Sequence, residues 1–169
     1  RQRVLGAKHS STLASMNNLA LAYDAQGKFG EAAALHAQTV EIRKRVLGPE
    51  HPDTLASMAR VAWSDVSQGR YAEAAALAAE ATEMHKRVLG PEHPQNLLPM
   101  MLLALALNAQ GKHAEAATVA TTLLETARRV LGPEHRATTS SMELLAGIRE
   151  EAGDIAEADR SERPACEGD

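Results

Sequence analysis

Aromatic side chains are nearly missing from this chain of 169 residues: Tyr23, Phe29, Trp63 and Tyr71 are all it has. Alanine, by contrast, occurs 33 times. It fills little volume and is the best helix former, so a deep β-sandwich core or a wide enzyme pocket fits poorly and close-packed helices fit well. The single cysteine, Cys166, has no partner for an internal disulfide, which points to an intracellular, cytoplasmic protein. No apolar run reaches the roughly 18 residues of a membrane span, and the N-terminus has no signal-peptide pattern. Basic charge is also short. The 18 Lys and Arg against 22 Asp and Glu leave a net charge of −4, which argues against nucleic acid as a partner. A Gly-rich phosphate loop, a His-Glu-x-x-His motif and a paired-cysteine motif are lacking too, so neither an enzyme nor a cofactor is expected.

What the chain does have is a period. Arg-Val-Leu-Gly occurs at residues 3–6, 45–48, 87–90 and 129–132, always 42 residues apart. The same beat carries His9, His51, His93 and His135, and Met16, Met58, Met100 and Met142. It also carries Ala20, Ala62, Ala104 and Ala146, Gly27, Gly69, Gly111 and Gly153, and Ala32, Ala74, Ala116 and Ala158. Half the positions of the first two units coincide. Such self-similarity is the mark of a stacked repeat architecture.

Each unit reads as two helices. Leu13, Met16, Leu19, Ala20 and Tyr23 share one helical face, Gly27 interrupts, and Phe29, Ala32, Leu35, Ile42 and Val46 form a second stripe. First helices are predicted near 11–26, 53–68, 95–110 and 137–152, and second helices near 30–46, 72–88 and 114–130, with a short one near 155–163. Between units, basic residues such as Arg43, Lys44 and Arg45 occupy a last turn, where cations suit the macrodipole. Gly48, Gly90 and Gly132 then supply a left-handed cap, and Pro49, Pro91 and Pro133 block continuation. Pro52 and Pro94 fit a first helical turn. The basic clusters could instead form an anion site, but capping is the stronger reading. The expected fold is all-α, a right-handed α-solenoid of tandem helix-turn-helix repeats. It forms a single domain over 1–163, with repeats at 3–44, 45–86, 87–128 and 129–163. Residues 1–5 read as the last turn of an earlier helix in a longer array, and 164–169 as a disordered tail.

Tandem pairs of this kind resemble tetratricopeptide repeats. With Leu55 as the first position, Ala62 is the eighth, Gly69 the fifteenth, Tyr71 the seventeenth and Ala74 the twentieth. The 42-residue form is similar to kinesin light chain repeats through Asn17-Asn18-Leu19-Ala20, Tyr23, Gln26-Gly27-Lys28-Phe29, Glu31-Ala32 and Leu47-Gly48-Pro49-Glu50-His51-Pro52. The resemblance covers residues 3–163. It implies a protein-binding module whose first helices line a concave groove. In kinesin light chains paired asparagines hold the backbone of a cargo peptide, a role that carries over only to Asn17 and Asn18. Ala59-Arg60, Met101-Leu102 and Glu143-Leu144 stand at the matching places. The Lys, Asn and Arg series of a chaperone-type carboxylate clamp is lacking.

The same resemblance turns the fifth, ninth and twelfth positions of each first helix inward, a spacing that shares one face. These are Asn17, Leu21 and Asp24; Ala59, Trp63 and Val66; Met101, Leu105 and Asn108; and Glu143, Gly147 and Glu150. The groove so drawn is apolar in the middle and polar at its ends, suited to a peptide or helix of a partner protein with a hydrophobic anchor. Trp63 is the leading candidate, since exposed tryptophan dominates binding hot spots; the alternative is that it fills space beside the neighbouring repeat. From Leu97 to Leu107 every residue is apolar. Met101 and Leu105 therefore await a partner, a second copy of the chain included, unless the string reflects drift in an Ala-rich repeat. Pro99 requires this helix to start late, near Leu98, or to bend. A metal held by the periodic histidines fails on geometry, because helices about 8–10 Å apart cannot bring them to within about 2.3 Å of one ion. They are expected to cap turns. The runner-up function is a scaffold or self-association segment of a larger regulatory protein.

Overall fold

The computed structural model describes the backbone of residues 10–161 and the side chains of residues 11–153. The expected earlier helix turn at 1–5 and the tail at 164–169 lie outside the described residues. The described chain is α1 (Ser10–Ala25), α2 (Phe29–Val46), α3 (Pro52–Ser67), α4 (Tyr71–Leu89), α5 (Leu97–Ala109), α6 (His113–Leu131) and α7 (Arg136–Ser161). It contains no strand among the described residues. Packing runs between neighbours in this order, with α3 also packed on α5. The result is a solenoid of three helix pairs and a final helix.

Alanine sets how close the helices lie. Ala20, Ala62 and Ala104 on the first helices, and Ala32, Ala74 and Ala116 on the second, are fully buried. With only a methyl group at each crossing, helices approach closely. Larger side chains fill the space between: Val40, Leu55, Met58 and Ala81 form one cluster, and Leu97, Met100, Leu123 and Ala127 the equivalent one further along.

Within a pair, Gly27, Gly69 and Gly111 take φ of 72°, 74° and 76°. The Lys28 N–H donates to the Tyr23 carbonyl at 2.9 Å and the Gly27 N–H to that of Asp24 at 3.0 Å. The same two bonds recur at Arg70 and Gly69 and at Lys112 and Gly111. This is a Schellman end, which satisfies the last helical carbonyls. Beside Gly69 and Gly111 a glutamine ties the turn to the preceding pair. Gln68 Nε2 donates to the Phe29 carbonyl at 3.0 Å, and Gln110 Nε2 to that of Tyr71 at 2.9 Å.

Between pairs the expected glycines cap, but not in the left-handed helical region. Gly90 sits at φ 89°, ψ 157° and Gly132 at φ 88°, ψ 166°, a mirror-extended conformation open essentially to glycine alone. Buried side chains then seize the glycine carbonyls. Thr54 Oγ1 donates to Gly48 O at 2.9 Å, Asn96 Nδ2 to Gly90 O at 2.8 Å and Thr138 Oγ1 to Gly132 O at 2.7 Å. The periodic histidines cap as expected: Nδ1 of His51, His93 and His135 accepts from the N–H of Asp53, Gln95 and Ala137. The basic last turns reach across the joint rather than only toward their own helix end. Arg43 donates to the Asp53 carbonyl and to Ser57 Oγ, each at 2.7 Å, Arg87 pairs with Glu50, and Arg129 pairs with Glu92 at 2.9 Å.

Of the two alternatives left by Pro99 the late start is observed, and one expectation needs correction. The third first helix begins at Leu97, after a 3-10 turn at Pro94–Asn96, so Pro99 falls in its first turn and breaks no hydrogen bond. More consequentially, the predicted break at Gly153 and the short helix near 155–163 do not occur, because α7 runs unbroken to Ser161. Ala152 and Asp154 stand where the true turns have Gln and a basic residue. Without the glutamine clasp, a lone glycine only weakens a helix. Among the described residues no helix folds back over α7, so Met142 is 44% exposed whereas Met16, Met58 and Met100 are buried.

The glycines give a test of opposite signs. A Cβ added at Gly90 or at Gly147 meets no atom within 4 Å, so each cost or gain is purely backbone. Gly90→Ala should destabilise by about 1–3 kcal/mol. Gly147→Ala, inside α7, should stabilise by about 0.5–1 kcal/mol. Urea denaturation of both variants checks the pair.

Candidate functional site: a trough across the inner helices

Three clefts open along the face built by α1, α3, α5 and α7. The first, about 250 Å³, is lined by Leu21, Asp24, Ala59, Arg60, Trp63 and Leu98. The second, about 200 Å³, lies between α3 and α5, with His85 of α4 and Gln95 among its walls. The third, about 410 Å³, lies between α5 and α7, with Leu97, Met101, Leu123 and Leu131 on the apolar side and His135, Arg136, Ser140 and Ser141 on the polar side. Leu98 lines all three, so the clefts adjoin in a row along this face, which we call the trough. The second and third clefts are equivalent places one repeat apart. Where Leu98 and Pro99 crowd the former, Ser140 and Ser141 leave the latter open.

The sequence-predicted residues fall in three groups. Leu21, Asp24 and Trp63 line the first cleft and Met101 the third. Trp63 is 44% exposed and Leu21 39%. Val66 packs instead into the seams between helix pairs, against Ala62, Ala78 and Leu102 on one side. Asn108 is tied down, accepting from His113 Nδ1 and donating to Glu151, each at 2.7 Å. Leu105 is half-buried, Asn18 is exposed and Asn17 is half-buried with its Oδ1 enclosed and unpartnered; none of the three lines the trough. Sequence reading missed Leu98, which is 42% exposed, and Arg60. A signal existed for the first: Leu98 is large where the 42-residue beat has Ala14, Ala56 and Ser140.

Asp24 does less in the trough than its position promised. Its carboxylate accepts from His36 Nε2 at 3.2 Å and from Ser64 Oγ at 3.3 Å, joining α1 to α2 and α3. Burial pushes the His36 imidazole below its ordinary value of 6.5, Asp24 pulling it back up and Arg60 pushing it further down. Burial likewise lowers His85, with the hydrogen bond to the Ala81 carbonyl opposing and His93 assisting. Among the described residues, no three His, Cys, Asp or Glu side chains come together as a metal site, and no helix is long and apolar enough to cross a membrane.

A stack of near-identical helix pairs with an open trough on one side defines the class: a helical-repeat module for protein interaction. Models of the tetratricopeptide repeat match residues 12–53, 54–95 and 96–167. The chain belongs to the tetratricopeptide repeat family. It is similar to a Podosopora anserina protein assigned as a kinesin light chain with nearly identical TPR-like repeats. The identity is 32%, with 94% of this chain and 75% of that one covered, at a TM-score of 0.76. A point variant of that protein gives a TM-score of 0.78 at the same identity, covering 94% and 74%. The Sgt2 TPR domain of Aspergillus fumigatus shares the fold at 19% identity and a TM-score of 0.61, over 93% of this chain and 88% of that one. No curated protein matches the chain.

The buried histidines set a pH dependence. Their folded values lie below the unfolded one, so the unfolded chain takes up protons first as pH falls. Stability present above about pH 6.5 is therefore lost on acidification below it. The thermal midpoint should fall between pH 7.5 and 5.5, and fall less in the double variant His36→Gln, His85→Gln. Equal drops in the two proteins would show that other groups govern the acid limb.

Proposed function

We propose that the trough binds a peptide or helix of a partner protein, seated on Leu21, Trp63, Leu98 and Met101. The observation that carries this reading is the row of exposed large apolar side chains, Leu21, Trp63 and Leu98, around one cleft. Tryptophan with apolar neighbours is the typical anchor of an interface. Its central helices α3 and α5 are held by joints on both sides, so a ligand there meets a surface already ordered, which lowers the entropic cost of binding. Asn17 and Asn18 belong to the reading as contacts to the peptide backbone at the α1 end, and Asp24, Val66, Leu105 and Asn108 as walls and supports. The reading has no catalytic step and places the protein in the cytoplasm.

A second reading, self-association, is favoured by Leu98, which leaves an apolar side chain open on an otherwise well-buried α5. Sedimentation at several concentrations separates the two: mass rising with concentration, and falling back in Leu98→Ser, supports the second.

Screening a peptide library against the intact chain tests the first. Trp63→Ala should weaken the selected peptide by about 2 kcal/mol or more, the scale of a hot-spot residue. The cooperative unfolding transition should survive, since Trp63 is exposed. A library yielding no binder, or a Trp63→Ala chain binding equally well, overturns the reading.

A further inference from the structure

The middle cleft differs from its neighbours in its floor. At the equivalent place one repeat earlier stands Arg43, whose guanidinium is already bonded to Asp53 and Ser57. One repeat later stands Ala127, which offers nothing polar. Between them is His85, 2% exposed. Its Nδ1–H donates to the Ala81 carbonyl at 2.8 Å, so Nε2 is the ring nitrogen left for the cleft that His85 lines. No hydrogen-bond partner meets that nitrogen among the described residues. Arg60, on the wall of the same cleft, has no ion pair or hydrogen bond among the described residues either.

Arg60 is the other ionisable side chain that lines the cleft with His85. It stands on the α3 wall, its charge felt at His36 and Arg43, while His93 in the joint uses Nδ1 to accept from the Gln95 N–H. Helix α5 contributes no ionisable side chain. On α4 itself, Glu83 and Lys86 pair with each other at 3.2 Å and line a different cleft. Among the described residues no carboxylate lines the middle cleft, so a proton on His85 has no counterion in the empty site. An anion entering beside Arg60 would supply one.

We propose that this cleft is a carboxylate subsite, taking an aspartate or glutamate side chain from a peptide lying in the trough, and that His85 binds one proton from solvent as the carboxylate enters. The carboxylate stays ionised, the imidazolium Nε2–H donates to it, and Arg60 supplies the second positive charge. A further cleft adjoins this one on each side at Leu98, so a peptide lying along the row presents the anion as a side chain rather than a chain end. By reciprocity, an acidic peptide binds more tightly as pH falls through the titration of His85. This rests on the groove reading for its peptide but not for its anion.

NMR titration of the histidine rings in the intact chain provides the test, with sodium acetate as probe, sodium chloride at equal ionic strength as reference, and acetamide as the uncharged isostere. Acetate should raise the His85 midpoint by about half a pH unit or more, equivalent to about threefold tighter binding to the protonated ring. Acetamide should not move it, and Arg60→Gln should remove most of the effect while keeping cooperative unfolding. An equal midpoint in acetate and chloride, or an equal shift with acetamide, overturns the subsite. If acetate acts but the library yields no peptide, the groove reading and the peptide half of this proposal fall while the anion site stands. If peptides bind and acetate does nothing, the subsite alone falls.

Discussion

Thr54, Asn96 and Thr138 each reach six residues back to take the carbonyl of a glycine that no other residue type could comfortably replace. That bond is what makes forty-two residues a structural unit rather than a sequence curiosity. A glycine in the mirror-extended region points its carbonyl away from the finished helix into a partly buried joint. The backbone there offers only long bonds, from the His51 N–H to Gly48 at 3.5 Å and from the His93 N–H to Gly90 at 3.3 Å. The hydroxyl or amide from the next helix satisfies the carbonyl and in doing so fixes where that helix begins. Histidine Nδ1 then takes the first free N–H of the new helix. Both partners at each joint come from side chains at constant offsets, so successive pairs are laid down in the same way. Equivalent positions on α1, α3, α5 and α7 line up for that reason alone.

Alignment of equivalent positions turns small departures from the repeat into surface chemistry. Alanine at the helix crossings contributes closeness but no recognition. The trough takes its character from positions that break the beat: Leu98 for alanine, Pro99 for serine, Trp63 for leucine and His85 for arginine. A strictly periodic version of this chain would present identical clefts. The actual chain presents a cleft walled by Trp63, one that reaches His85 and a roomier one lined by Met101 and Leu123, in that order.

Much of the frame was legible because local chemistry determined it. The helix pairs, the turn glycines and the capping histidines follow from periodicity and from backbone preferences that need no tertiary knowledge, whereas the exposure of Trp63 followed from the family resemblance. The site was legible only in part, and each miss has a cause in three dimensions. Asp24 occupies an inward position, yet His36 and Ser64 draw its carboxylate into the seam between helices. Val66 and Asn108 share that inward face but lie near its edge, where packing and hydrogen bonds claim them. His85 belongs to a second helix, a set not expected to reach the inner face, and it does so because Ala56 and Ala59 leave a gap in front of it. Family-derived positions describe where a side chain starts, not where competing partners take it.

The last helix shows why a turn signal is not one residue. Gly153 keeps the periodic place of Gly27, Gly69 and Gly111, yet its backbone stays helical. In the working turns a Schellman end and a glutamine act together, the glutamine holding the first turn of the preceding second helix from across the pair boundary. The clasp therefore belongs to two repeats at once, and Ala152 removes it. Continued helix then satisfies every backbone group at the modest cost of a glycine in its interior. The consequence reaches the trough. With none of the described residues folded back over Met142 and Ala146, α7 is held by α6 and α5 on one side only. The third cleft thus has one wall fixed from both directions and one fixed from a single direction, so any ligand ordering at that end falls on α7 rather than on α5.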